Sequence, residues 1–302
     1  MLSQKYIKDF LNTNNNKDFK AVLERIIDQE KMSKISFLEW SEKEIGEYLR
    51  SFNSISPMAL NRQFSILRNF SDYICEGEGI SKRNFSLSED RLYDFIDRDK
   101  LLQVTINYEQ YKNIKNQLDV NIRDKLIFEL AWCGLTNDEI KMLKISDIKF
   151  EKSEDYECAF IEIGKEFPHK IEDPEVVEDI KESMKRIKHI NKNKNGKENK
   201  YSYRYSEYLI KPANVGRTKK EGYACNPSTY LKDALDTNEV ICEEIEISDL
   251  SIENIRRSGL IYLLSPENEK DYSLVLITVL YGYKNENGLF WLKNFAKEKY
   301  KS

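Results

Sequence analysis

Histidine is almost absent from this 302-residue chain: His169 and His189 are too few and too lightly supported to build a metal centre, so no metal is expected. Cysteine is scarce too. Cys75, Cys133, Cys158, Cys225 and Cys242 are odd in number, scattered, and form no C-x-x-C. That excludes a disulfide framework or zinc ribbon and reads as reduced, buried or half-buried thiols. No long hydrophobic run exists either, since the longest near the C-terminus, Leu274 to Tyr281, is far too short to span a bilayer. The opening "MLSQKYIKDF" has no apolar region of the signal-peptide kind. The expectation is a soluble, cytoplasmic protein with no membrane partner and no cofactor. An overall basic excess is missing as well, with a net charge of −4.

What is present is enough apolar residue, 40% beside 33% charged, to bury real cores, and enough length for two domains. The charge is unevenly placed. Lys185 to Lys220 holds twelve Lys/Arg and two Asp/Glu, a local +10, which leaves −14 for the rest. Such asymmetry points to a polyanionic partner or to a solvated lysine-rich loop.

The first 80 or so residues read as helices. "DFKAVLERIIDQEK" has a helical apolar stripe, and "SEKEIGEYLRSF" opens with the capping box Ser41–Glu44. "SPMALNRQFSILRNFSDYICEG" has Ser56 as N-cap and Pro57 at the first helical position, with Gly77 and Gly79 ending it. "EGEGISKRNFSLSEDR" reads as linker. Beyond it, "NYEQYKNIKNQL" and "NIRDKLIFELAWCGL" read as helices, and "TNDEIKMLKISDIKFE" as a third that breaks near Ser146, with Thr136 and Asp138 as candidate N-caps. "YECAFIEIG" is the clearest strand. A helix over "DPEVVEDIKESMKRIKHI", a basic loop, an extended "SEYLIKP" and a helix over "NPSTYLKDALDT" follow, then the helix of Arg256 and two last elements, "DYSLVLITVLYGY" and "NGLFWLKNFAKEKY". The fold class is mainly α with a small β-sheet (α+β). The boundaries are a helical domain over 1–80, a linker over 81–104 and a larger domain over 105–302.

Five segments in order carry a resemblance. "RDKLIFELAWCGLTNDEIKMLKISDI" resembles the first arginine box of the tyrosine recombinase (phage integrase) family. "AFIEIGK" looks like its lysine-bearing hairpin, with Lys165 as the best match, and "NPSTYLKDAL" like the segment that follows. "IENIRRSGLIYLL" resembles its second box and "VLYGYKNENGLFWL" its last. The resemblance implies a two-domain architecture, a helical core-binding domain plus a catalytic-like domain, that clamps double-stranded DNA. It also implies two arginines on the scissile phosphate and a tyrosine nucleophile.

The departures bear on function. The first arginine position holds Thr136, which has neither charge nor reach. The histidine positions hold Glu253 and Tyr283, and the nucleophile position holds Leu292, between Trp291 and Lys293. Arg256 is kept, as is Lys165. The sequence therefore reads as a recombinase fold without catalysis, similar to the integrase-like master repressors of SPbeta-type prophages. A phage or prophage transcriptional repressor that occupies an operator is expected. The alternatives are an active recombinase using a displaced tyrosine (Tyr281, Tyr283 or Tyr300) and a non-catalytic accessory DNA-architectural protein. For DNA contact the candidates are Asn61, Arg62, Ser65 and Arg68 on one helix, with Lys165, Arg256 and Arg257 on phosphates. Lys192, Lys194, Lys197 and Lys200 would add salt-dependent affinity. Arg256 has a competing partner in Glu253, three residues earlier. Leu289, Phe290, Leu292 and Phe295 form an apolar cluster that docks within the chain or onto a second copy.

Overall fold

The structure, a computed structural model, describes residues 2–14, 17–81, 89–152, 156–164, 168–192, 198–212, 224–237, 250–268, 273–282 and 286–300. The chain divides into two compact units, Met1–Leu101 and Leu102–Ser302.

Unit 1 contains α1 (Leu2–Asn14), α2 (Lys17–Ser33), α3 (Glu42–Arg50) and α4 (Pro57–Glu78). The Ser41–Glu44 capping box that starts α3 forms as expected, and so does the Ser56 cap on α4, followed by Pro57 at the first helical position. Gly79 ends α4 in the left-handed conformation, φ 66°. Gly77 stays inside the helix, where a Cβ would meet the Tyr6 ring at 2.8 Å. The core is aromatic: Phe37, Trp40, Tyr48 and Phe70 are buried, and the Tyr48 hydroxyl donates to the Val22 carbonyl at 2.6 Å. The stretch read as linker is helical from Glu89. A 3-10 turn over Glu89–Phe95 buries Leu92 and Phe95 against α3 and α4, and α5 (Arg98–Gln103) follows. Polar composition hid these two apolar anchors.

Unit 2 is built around α7 (Ile122–Trp132), ten of whose eleven residues are buried. A helix with neighbours on every side has no polar face to keep. Around it pack α6 (Tyr108–Leu118), α9 (Pro174–Lys185), α10 (Pro227–Asp236) and α11 (Ile252–Leu263). The small sheet is antiparallel, in the order β1 (Ile148–Lys152), β2 (Glu157–Ile161), β3 (His169–Ile171), with Ile148 opposite Ile161 and Ala159 opposite Ile171. The expected third helix is thus corrected: α8 spans only Asn137–Met142, and "IKFEK" is strand β1 because it pairs with β2. Likewise the helix expected to run through "IKHI" stops at Lys185. There Lys211 Nζ donates to the carbonyls of Ser183 (2.9 Å), Met184 (2.8 Å) and Arg186 (3.2 Å), which leaves the helix end satisfied. Within the basic stretch, β4 (Lys188–Lys192) pairs antiparallel with β5 (Glu198–Ser202). The last helices are α12 (Leu274–Tyr281) and α13 (Asn287–Lys299). Among the described residues no helix is long and apolar enough to cross a membrane.

A close backbone contact joins α11 to α7 in unit 2. A Cβ on Gly259 would stand 1.9 Å from the Trp132 carbonyl oxygen, so only glycine lets the two backbones meet. Next to it the Ser258 hydroxyl accepts from Ile106 N–H (3.0 Å) and donates to the Asn254 carbonyl (2.7 Å). Gly259→Ala is expected to lower the unfolding free energy by about 3 kcal/mol or more in urea denaturation, because a backbone carbonyl cannot yield as a side chain can.

Inside α7, Glu129 is fully buried and faces Asp179 of α9, whose Oδ2 lies 2.8 Å from Lys125 Nζ. Burial, then the Asp179 charge, pushes the Glu129 carboxyl up to about 9, against the pull of Lys125 and Lys115. The folded state therefore holds a proton that the unfolded chain releases near pH 4.5, and stability falls as pH rises from there toward 9. Glu129→Gln, which cannot ionise, is expected to raise the thermal midpoint over wild type at pH 8. The difference should shrink toward zero at pH 5.

Candidate functional site

In unit 2, Arg256 of the second box meets Gly134 of the first box and Tyr281 of the last. Ser251 caps α11, its hydroxyl accepting from Asn254 N–H at 3.3 Å, and Ile252 and Ile255 fix the inward face. Arg256 then projects along the outer edge of the Gly259 contact. Its Nε donates to the Gly134 carbonyl at 2.8 Å and its Nη2 to the Tyr281 carbonyl at 2.6 Å. The guanidinium lies over the Tyr281 ring, 5.1 Å from its centroid, and Nη1 is 3.7 Å from Glu253. Gly134 has φ 105°, and a Cβ there would approach the Tyr281 ring to 2.6 Å. One side chain thus ties together the ends of α7, α11 and α12.

Arg257 lies on the same helix and is also engaged. Its Nη1 donates to Asn254 Oδ1 at 2.8 Å and its Nη2 to Glu253 Oε1 at 3.4 Å. Glu253, 57% exposed, is the acceptor both arginines share. Thr136 is the N-cap of α8: its Oγ1 accepts from Glu139 N–H at 3.3 Å, and Glu139 Oε2 accepts from Thr136 N–H at 2.7 Å. The carboxylates of Glu253 and Glu139 therefore stand beside Arg256 and Thr136 respectively.

Leu292 is buried in α13 with Leu289 and Phe295, while Phe290 is 61% exposed. Three of the four residues considered for contact with a second copy are thus spent inside their own unit. Lys299 Nζ closes the helix end, donating to Thr105 O (2.9 Å) and Oγ1 (2.8 Å), and burial pushes its ammonium down to about 8. Tyr281 is buried, and burial pushes the Tyr300 phenol up, which disfavours the phenolate an attacking tyrosine requires. Tyr283 and Lys165 lie outside the described residues, as do Lys194 and Lys197. Lys200 is exposed in β5, and Lys192 lies in β4 with its side chain outside the described residues.

His169 is buried, with Nε2 2.6 Å from the Cys133 carbonyl oxygen. Among the described residues no group of three or more His, Cys, Asp or Glu could hold a metal ion. Burial raises the thiols of Cys133 and Cys225, the latter to about 11, so both remain protonated at neutral pH.

In unit 1 the candidates sit on α4. Arg62, Ser65 and Arg68 are exposed and Asn61 is half-buried. The Ser65 hydroxyl donates to the Asn61 carbonyl at 2.8 Å, leaving its lone pairs as acceptors. The exposed stripe is centred on Met58, Arg62, Ser65 and Asn69, opposite buried Leu60, Phe64, Leu67 and Ile74. Met58 and Asn69 were missed by sequence reasoning, although the 3.6-residue period places them on the same face as Arg62 and Ser65. The carbonyl partners of Arg256 carry no sequence signal at all.

Arg256→Lys tests the tie. A lysine ammonium lacks the planar fork that bridges two carbonyls. The substitution is expected to cost about 2–3 kcal/mol of stability in urea denaturation, the scale of charged hydrogen bonds lost.

No family model matches the chain, and no curated protein matches it in sequence. Several solved structures are similar in fold, two of them as follows. One is the XerH site-specific recombinase bound to palindromic difH substrate, a post-cleavage complex; it is 14% identical, with a TM-score of 0.50 over 94% of this chain and 77% of that one. The other is the Tn1549 transposon integrase in complex with transposon right end DNA, also 14% identical, with a TM-score of 0.51 over 97% of this chain and 94% of that one. The chain therefore has the fold of these site-specific recombinases and integrases over nearly its whole length.

Proposed function

We propose that this chain is a sequence-specific double-stranded DNA-binding protein whose recombinase-type site performs no chemistry, acting as a transcriptional repressor of phage or prophage type by occupying its operator. The observation that carries this reading is the state of Arg256: its fork is spent on the carbonyls of Gly134 and Tyr281. A second arginine is replaced by the helix cap Thr136, and Leu292 is buried core where the resemblance puts a nucleophile. Transition-state charge on a phosphate has no paired guanidinium to meet, and loss of one such donor alone costs about two to three orders of magnitude in rate.

Binding does not depend on those groups. Both fold relatives were solved on DNA, one on its difH substrate and the other on a transposon end. In this chain α4 supplies a face with Arg62, Ser65 and Arg68 exposed, residue types that meet guanine edges and phosphates. Arg62 is assigned to a guanine, and Lys200 of β5 to the flanking backbone. Arg256 and Arg257 act as ties within unit 2.

The test is capture of fragments of the source genome on the purified full-length protein at physiological salt, followed by sequencing. The expected result is a recurring motif near promoters, with Arg62→Ala weakening its binding by about ten- to a hundredfold, the range of one bidentate base contact. Enrichment at attachment-site junctions would move the role to an accessory architectural protein. Enrichment of no motif would overturn sequence-specific binding.

A further inference from the structure

The exposed stripe of α4 carries a residue that neither the core nor the phosphate contacts account for. Met58 is 73% exposed in the first turn of the helix. At 100° per residue, positions 58, 62, 65 and 69 fall within about 60° of one another. The opposite side holds buried Leu60, Phe64, Leu67 and Ile74, so Met58 sits in the middle of the outward face, one turn before Arg62.

Charge along α4 sets its polarity. Arg62 lies in the first half and Arg68 at the middle, whereas Asp72, Glu76 and Glu78 lie beyond. Glu78 is tied at the far end, paired with Lys5 at 3.0 Å and accepting from the Tyr6 hydroxyl. A polyanion is attracted by the first three turns and repelled by the last two. The N-terminal half, with Met58 in it, is therefore the part that enters a groove.

We propose that Met58 is a specificity-determining residue whose thioether and terminal methyl pack on the C5-methyl of a thymine beside the guanine read by Arg62. This rests on the reading of α4 as the helix that reads duplex DNA. Among the base pairs only those with thymine present a methyl group in the major groove. Methionine is apolar, unbranched and without a hydrogen-bond donor, so it rewards that methyl group and offers nothing to the amino group of cytosine. One helical turn is about 5.4 Å and one base step about 3.4 Å, which places the thymine within two base pairs of the guanine.

The test uses the full chain and the duplex that the protein itself selects. Each thymine within two base pairs of the Arg62-dependent guanine is replaced singly by deoxyuridine, which removes only the methyl group. One replacement is expected to weaken wild-type binding about fourfold, the transfer value of one buried methyl converted to affinity. The same loss is expected with Met58→Leu, and none with Met58→Ser. Matching urea denaturation curves for the three proteins would show that the exposed substitutions leave the fold intact. An equal loss with Met58→Ser, or no loss at any thymine in wild type, would overturn the assignment while leaving Arg62 as the reader of the guanine. Selection of no motif at all would overturn the duplex-reading role of α4, and Met58 with it.

Discussion

The backbones of α7 and α11 meet where Gly259 lies against the Trp132 carbonyl, and the rest of unit 2 is arranged by that contact. A glycine there allows an approach that any side chain would forbid, and the approach fixes both the distance and the rotation of α11. With that rotation set, Ser258 bonds back to Ile106, and Arg256 faces the Gly134 carbonyl two residues beyond Trp132. The same guanidinium reaches the Tyr281 carbonyl, so the end of α12 is held by a side chain 25 residues earlier in the chain. Remove the close approach and neither hydrogen bond has its geometry.

This arrangement bears directly on function. An arginine that serves a phosphate must present its fork outward, whereas Arg256 uses the fork on its own backbone. Glu253 adds an exposed carboxylate beside it, which repels a phosphodiester. At the positions that the resemblance matches to catalytic residues, unit 2 holds a helix cap at Thr136, a tie at Arg256 and a core leucine at Leu292, and the proposed absence of chemistry rests on these. Unit 1 is built differently, with an aromatic core beneath α4 and a polar outer face free of acidic residues over its first three turns.

Features with a local cause were legible in the sequence. The caps at Ser41, Ser56 and Thr136, the proline start of α4 and the strand β2 follow from side chains within a few residues of where they act. So did the fold class, carried by ordered motifs. What failed had a non-local cause. The third helix stops at Met142, short of the expected break near Ser146, and "IKFEK" beyond it is a strand paired with β2. "IKHI" leaves α9 for β4 because β5 pairs with it. Gly77 signals a helix end and is instead a close approach to Tyr6. In the candidate site, Thr136 and Arg256 were found by position. The carbonyl partners of Arg256 lie 122 and 25 residues away in the chain, and any residue supplies a carbonyl.

Occupancy without strand cleavage is tested most directly by the fate of bound DNA in detergent. Labelled duplex carrying the selected site is bound by the full-length protein, quenched in sodium dodecyl sulfate and resolved on a denaturing gel. Every bound duplex is expected to be released intact, with no label migrating with protein. A labelled protein band that persists through detergent, and collapses to a phosphotyrosyl peptide on proteolysis, would contradict it and return the chain to the enzymes.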